Sequence, residues 1–472
     1  MKLLKTSKNS QRILFFLLLF FIALLPRVYQ LEDSFLWDQE QGVVFWTIKK
    51  IVVEKKLPLV GQHFLNQETP VFRPPFFAYF SAIPLLLTQN NPLSIEFCLA
   101  VIGALTATLI FWVTKKLFDQ KAAFFAFLGY AFSSFVIGAD KNLVPPTMLI
   151  LSSLLFLSFL LNALKQTRNQ RHFLAIGLLI GLMFSFHFSA IIALVSVFSV
   201  FLIFKKEFKL NFKKILIFLS SVFIMLFPIL VFNARHGFLM IEGFKKIVIG
   251  KSFNISIGVS DRLTLALSTI NRLNLSLSSI NLNINLAFFS LILWLVPILF
   301  IVKLKKTHPQ KSFFLLLLTL LVFSFLFLYL VGNPFYQMTH YLLFLIPFFF
   351  IVWGGFFSQV SQVSVGKIIV VLVFSLFLFQ NTKAILTLHK GSYIQKIELV
   401  NQILKKAKPD KVTSVKFLDQ DYTPFDFLVY YRAPFYGLKY ENINLIQAWT
   451  DAIPDIVVKK EESKLSIILN NK

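Results

Sequence analysis

Residues 12–40 read RILFFLLLFFIALLPRVYQLEDSFLWDQE, and this stretch decides the fold. Lys2, Lys5, Lys8 and Arg12 lead into an apolar run from about Ile13 to Tyr29, long enough to cross a bilayer with little tilt. A basic stretch before an apolar run also resembles a signal peptide. No convincing small-residue cleavage site follows, so the run reads as a retained anchor. The positive-inside rule then puts the N-terminus in the cytoplasm and Leu36-Trp37-Asp38-Gln39-Glu40 on the outer side. There, two acids flank a glutamine beside a tryptophan, where a greasy helix meets water.

The remainder of the chain repeats the first run's theme. Of 472 residues 57% are hydrophobic, 59 of them Phe, and the mean hydropathy is +0.73. A soluble domain cannot hide that much apolar surface, so lipid must cover much of it. The formal net charge of +25 sits largely in short connections between apolar runs. Anionic lipid head groups and topology therefore explain it better than nucleic acid. Cys98 is the single cysteine, which excludes an intrachain disulfide and a cysteine-based metal cluster.

Apolar runs recur at about 97–114, 122–139, 143–164, 173–186, 188–204, 215–233, 285–302, 312–331, 341–357 and 366–386. With the first they predict about eleven spans, an all-α polytopic membrane protein. Charge agrees with the alternation. Lys115, Lys116 and Lys121, then Lys165, Arg168 and Arg171, then Lys205 to Lys214, then Lys303 to Lys311 fall on connections that come out cytoplasmic. The connections at Asp140-Lys141-Asn142, at His187 and at 332–340 are poor in lysine and arginine, as outer loops should be. The runs at 173–186 and 188–204 are short for a full crossing.

Two long outer loops are expected, at about 30–96 and 234–284. The first contains an amphipathic helical stretch over Gly42 to Lys56. The second repeats Leu267-Ser268-Thr269-Ile270-Asn271 as Leu277-Ser278-Ser279-Ile280-Asn281, the pattern of an interfacial helix or spacer. The chain divides into a transmembrane part, 1–386, and a polar remainder, 387–472. The latter predicts a small extracytoplasmic α/β domain, with a helix at Tyr393 to Lys406 and strands at Val412 to Phe417, Phe427 to Tyr431 and Ser466 to Leu469.

In so apolar a chain, ionisable groups at membrane borders are the informative residues. Asp38, Glu40, Glu68, Arg73, Asp140, Lys141, His187, Arg235, His236 and His340 all fall on the outer face. A carboxylate such as Asp38 or Glu40 in a partly enclosed pocket is a better base than one in water, and Trp37 and Trp46 could wall that pocket. Both acids also suit a solvated loop, and both tryptophans an interfacial belt. Arg73 precedes Pro74-Pro75, which fixes the backbone where a planar guanidinium suited to phosphate must project. Arg235-His236-Gly237 repeats the device after the run at 215–233, although arginines there also snorkel. Cations beside acids suggest an anionic leaving group, with phosphate the natural candidate, displaced by a nucleophile that an acid residue activates. His187, His236 and His340 could ligate a metal with Glu68 or Asp140, yet no HExxH or similar pair supports it. No GxxxxGK[ST], GxGxxG after a strand, or GxSxG supports a nucleotide or serine-hydrolase site.

Leu36-Trp37-Asp38-Gln39-Glu40-Gln41-Gly42, Leu57-Pro58-Leu59-Val60-Gly61 and Arg73-Pro74-Pro75-Phe76-Phe77-Ala78-Tyr79 resemble the first external loop of the protein O-mannosyltransferase and aminoarabinose transferase superfamily. These are integral-membrane glycosyltransferases of the GT-C fold. The resemblance continues through Lys116-Leu117-Phe118, His187-Phe188-Ser189-Ala190, Ala234-Arg235-His236-Gly237-Phe238, and His340-Tyr341 running into Ile346-Pro347. It implies a polyprenyl-phosphate sugar donor, an acceptor (glycan, lipid or protein) at the outer face, and a cell-membrane location. Asp38 matches the catalytic acid, Asp140 stands where relatives carry a second polar or acidic group, and Glu40 and Asp140 are expected to join Asp38 in the catalytic set by orienting the acceptor or sugar. Arg73 takes the place of a lysine that contacts the lipid phosphate in the aminoarabinose transferases, and Arg235 and His236 match a region facing that phosphate. Trp37, Lys141, His187, His340 and Tyr341 complete the expected pocket. One departure matters. Phe72 stands where the aminoarabinose transferases have a glutamate implicated in metal binding. A divalent metal stays open as a cofactor, with Glu68 and His236 its candidate ligands. Two other classes fit parts of the pattern. A flippase of lipid-linked sugars should show internal repeats and midplane charges, and a non-catalytic scaffold leaves the one-sided polar set without a purpose.

Overall fold

The computed structural model describes residues 8–63, 70–249, 258–278, 308–331, 339–387, 392–417, 423–446, 454–461 and 464–469. Its helices are α1 (Lys8–Val28), α2 (Leu31–Ser34), α3 (Gln39–Val52), α4 (Phe76–Leu87), α5 (Leu93–Leu117), α6 (Gln120–Phe132), α7 (Ser134–Asp140), α8 (Met148–Lys165) and α9 (Arg171–Phe186). There follow α10 (Ala190–Ile203), α11 (Phe212–Arg235), α12 (Leu239–Ile249), α13 (Val259–Ser278), α14 (His308–Val331), α15 (Ile346–Val360), α16 (Ser364–Leu386), α17 (Tyr393–Lys406) and α18 (Thr423–Arg432).

Among the described residues seven helices are long and apolar enough to cross a membrane, or eight if α6 and α7 form one span bent by 63°. The chain is a multi-pass membrane protein, and the expected figure of about eleven is not reached by these helices. Ser133 makes the bend: its backbone is extended, and its hydroxyl faces the amide of Val136 to start α7 afresh. The runs at 173–186 and 188–204 became α9 and α10, apolar helices shorter than a full crossing. The run at 285–302 and the second copy of the Leu-Ser-x-Ile-Asn repeat lie largely or wholly outside the described residues. The first copy lies within α13.

Burial separates central from peripheral spans. The segment Thr339–Val360 is 83% buried within the protein, whereas Ser10–Val28, Phe212–Arg235 and Ser364–Leu386 are each 17% buried. The outward faces of these three carry Leu14, Phe21, Phe223, Phe227, Leu372 and Phe379 exposed, as lipid contact requires. Inside, α5 packs between α1 and α6, α15 lies on α6, and α9 sits between α8 and α11. Small residues permit the close approaches. At Gly177 a side chain would collide with the backbone carbonyl of Phe218 on α11.

The polar remainder is a four-stranded sheet in the order β2-β1-β3-β4, with β1 (Thr413–Phe417), β2 (Ile443–Ile446), β3 (Ile456–Glu461) and β4 (Lys464–Leu469). The first three strands are parallel and β4 is antiparallel to β3. The helix at Tyr393–Lys406, β1 and β4 fall where the sequence puts them; β2 and β3 were not anticipated. The expected strand at 427–431 is instead helix α18. Residues 424–429 are all buried, because α18 packs against α3, α17 and the core beneath. A helix buried on every side shows no polar face, so its period is not readable. The amphipathic stretch of the first loop is α3, which starts three residues before Gly42 and stops at Val52.

Candidate functional site

The first loop is a folded structure. Phe35 and Trp37 are fully buried, meeting edge-on at 5.4 Å between ring centroids, and both lie against Tyr393 at the start of α17. The Trp37 indole N–H donates to the Pro424 carbonyl. Lys49 of α3 pairs with Asp426 of α18 at 2.9 Å, under the Tyr440 ring. The loop and the C-terminal domain thus share one core.

Asp38 is the N-cap of α3. Its amide donates to the Gln41 side chain at 2.9 Å, and its carboxylate completes a capping box with that residue. Oδ1 also accepts from Lys396 Nζ at 2.8 Å and Ser392 Oγ at 3.0 Å. Asp38 and Glu40 are both exposed. Gln41 is buried and donates to Asn142 Oδ1 at 2.8 Å, tying the start of α3 to the turn after α7.

Arg73 is held by a short antiparallel pairing: Gly61 N–H donates to Arg73 O at 2.7 Å, and Arg73 N–H donates to Gln62 O at 3.0 Å. Pro74 and Pro75 then open α4, Pro75 bringing the φ that a helix start needs. The guanidinium reaches the end of α9, where Nη1 donates to the Phe186 carbonyl at 3.3 Å, and its buried Nε has no hydrogen-bond acceptor. Burial pulls its pKa down to about 10, opposed by Tyr341 and Glu40; it remains a cation at neutral pH. Val44, Thr47, Gly61, Pro145 and Ser185 line a cleft with it.

Three more expected residues gather here. His187 sits in the turn between α9 and α10, its ring 4.4 Å from Tyr341 and 5.4 Å from His340. Its Nδ1 accepts the Ser189 amide at 3.1 Å, leaving Nε2 to carry the proton. Burial first, then the charge of Arg73 and His340, hold its pKa well below the ordinary histidine value. Glu40, Arg73, His187, His340 and Tyr341 thus form one electrostatic group.

Other expected residues are placed elsewhere. Asp140 is buried in an ion pair with Arg27, which the sequence reading missed. Lys141 donates to the Tyr29 carbonyl at 2.7 Å and Ser34 Oγ at 2.9 Å. Arg235 and His236 are exposed at the end of α11, His236 stacked on Phe232 at 4.1 Å. Phe232 in turn meets Phe72 edge-on, which brings this end of α11 beside the residue preceding Arg73. Phe72 packs with Val71, Met240, Phe188 and Phe244, surroundings that do not fit a divalent cation. Glu68 lies outside the described residues. Among the described residues no three His, Cys, Asp or Glu side chains are grouped to hold a metal.

The family model for dolichyl-phosphate-mannose-protein mannosyltransferase matches residues 72–232, about a third of the chain. Among solved structures, ArnT from Cupriavidus metallidurans bound to undecaprenyl phosphate is similar with a TM-score of 0.59 at 10% identity, covering 97% of this chain and 94% of that one. The apo state of the same protein gives 0.58 at 12% identity, with the same coverage. The oligosaccharyltransferase AglB from Archaeoglobus fulgidus, in complex with an inhibitory peptide and a dolichol-phosphate, gives 0.51 at 12% identity, covering 92% of this chain and 64% of that one. No curated protein matches the chain. These likenesses show that the chain has the fold of ArnT and AglB, and residues 72–232 match the dolichyl-phosphate-mannose-protein mannosyltransferase family model.

Proposed function

We propose that the protein transfers a sugar from a polyprenyl-phosphate donor to an acceptor at the outer face of the membrane, with its N-terminus cytoplasmic and its C-terminal domain outside. The observation that carries this reading is Arg73, a half-buried cation with an unused Nε–H, grouped electrostatically with Glu40, His187, His340 and Tyr341. A buried N–H without an acceptor is costly, and a phosphate oxygen is the partner the planar guanidinium suits best.

In the reaction, an acceptor hydroxyl or amine attacks the anomeric carbon in line with the bond to phosphate and inverts its configuration. The new bond forms as the carbon–oxygen bond to phosphate breaks, and that bonding pair stays on the departing polyprenyl phosphate. Arg73 stabilises the added negative charge, with the Nε2–H of neutral His187 as a second donor and Arg235 and His236 at the rim. Asp38 takes the acceptor's proton. Glu40 orients the acceptor or the sugar and balances Arg73. Asp140, paired with Arg27, ties α1 to α6 and α7.

The test is purified full-length protein given radiolabelled polyprenyl-phosphate sugars, comparing wild type with Asp38→Asn. Loss of transfer and of donor hydrolysis is expected; turnover undiminished in Asp38→Asn would remove Asp38 as the base.

A further inference from the structure

The carboxylate of Asp38 is gripped from the C-terminal domain, more than three hundred and fifty residues away in sequence. Ser392, just before α17, accepts the Trp37 amide at 2.9 Å and faces the Trp37 carbonyl at 2.8 Å and Asp38 Oδ1 at 3.0 Å. A serine has one proton to donate, so it serves one of these acceptors at a time. Lys396, one turn along α17, has three, and donates to both the Trp37 carbonyl and Asp38 Oδ1.

Exposure distinguishes this contact from an ordinary surface ion pair. The Lys396 side chain is 11% exposed, while that of Asp38 is 54% exposed. In the surface pair Lys56–Glu54 both partners are open, at 74% and 41%. At Asp38 the cation is sunk beneath the carboxylate, and the carboxylate faces outward. The arrangement fixes a base by one oxygen while leaving it reachable. Because Trp37 and Phe35 are locked against Tyr393 of the same helix, α17 sets both the position of the loop and the orientation of its acid.

We propose that Lys396 and Ser392 are positioning residues for the transfer reaction, so that the C-terminal domain is a working part of the active site; this rests on Asp38 acting as the base. Lys396 holds the carboxylate plane toward the acceptor and keeps the α3 N-terminus seated against α17. A base misplaced by about an ångström loses on the order of a hundredfold in rate.

The experiment uses full-length protein in detergent and a double-mutant cycle of Lys396→Ala with Asp38→Asn, plus Lys396→Arg. Two readouts are taken: turnover of a panel of radiolabelled undecaprenyl-phosphate monosaccharides, and the thermal midpoint with and without undecaprenyl phosphate. Lys396→Ala should cut turnover by about a hundredfold, leave the midpoint shift given by undecaprenyl phosphate intact, and be largely rescued by Lys396→Arg. When Lys396→Ala is combined with Asp38→Asn, the midpoint losses of the two single variants should not add. The assignment is overturned if turnover survives Lys396→Ala, or if the midpoint losses are additive. A wild-type protein that turns over no donor, with the midpoint coupling intact, overturns the transferase reading and this assignment with it, while the contact itself stands.

Discussion

Arg27, in the last turn of the first span, donates its Nε–H to Asp140 Oδ2 at 2.8 Å, and both side chains are buried. The same guanidinium donates Nη1–H to the Ala23 carbonyl at 2.7 Å and to the Ala131 carbonyl at 3.2 Å. It therefore ties α1 to α6 and α7 where α6–α7 bends. Gly103 on α5 completes the site, because a side chain there would collide with both members of the pair.

Removing one member of such a pair strands the other without water. Asp140→Ala should destabilise the protein by about 3–5 kcal/mol, read as a large fall in thermal midpoint in detergent. The double variant Arg27→Leu, Asp140→Leu should recover most of that loss, since an apolar pair leaves no charge unpaired. A single variant with an unchanged midpoint would show that the pair holds nothing together.

Trp37 makes the corresponding prediction for the loop between the first two spans. Its buried ring lies 4.3 Å from Phe45 and its N–H is spent on Pro424. Trp37→Phe loses one hydrogen bond and leaves one carbonyl unpaired, a cost of about 1–3 kcal/mol. Trp37→Ala also leaves a cavity, for about 3–5 kcal/mol. Because the contact joins the loop to the C-terminal domain, limited proteolysis should release that domain faster in Trp37→Ala than in Trp37→Phe. Equal rates would mean that the ring does not fasten the domain.

How much of this was legible in the sequence follows from where each signal resides. The apolar runs and the acids of the first loop are local patterns, and α1, α5, α8, α11, α14, α15 and α16 lie close to where those runs put them. Arg27 was invisible because one cation near the end of a greasy run reads as a side chain reaching for head groups, and nothing local announces a partner more than a hundred residues away. Lys396 was equally silent, one lysine among several on an amphipathic helix. The grouping of Arg73 with His187 and His340 was foreshadowed by their shared membrane face alone. Trp37 was expected to wall a pocket; it is buried between loop and domain, which composition could not distinguish from an interfacial anchor.

Arg73 should show a trade between stability and binding. Its guanidinium is desolvated and its Nε lacks an acceptor, so the ligand-free protein bears a cost that a bound phosphate would relieve. Arg73→Met should raise the thermal midpoint of the ligand-free protein and abolish the stabilisation given by undecaprenyl phosphate. Arg73→Lys should keep part of that stabilisation, because an ammonium supplies charge without the planar fork. A midpoint shift preserved in Arg73→Met would place the phosphate elsewhere.

His187 gives the fold a dependence on pH whose sign follows from its surroundings. Burial lowers its pKa well below the ordinary value, and Arg73 and His340 add to the effect, while the unfolded chain titrates near the model-peptide value of about 6.5. The folded state therefore binds fewer protons than the unfolded state between those two values. Stability contributed by the neutral ring is fully present above about pH 6.5 and is lost as pH falls toward the depressed folded value. The thermal midpoint of the wild type should drop between pH 7 and pH 5, and His187→Phe should flatten that slope while keeping a ring against Tyr341. Neutral His187 is also the form that offers a single Nε2–H toward a ligand, so acidification adds a second positive charge beside Arg73 and changes the site as well as the fold. An unaltered slope in His187→Phe would assign the acid sensitivity to other groups.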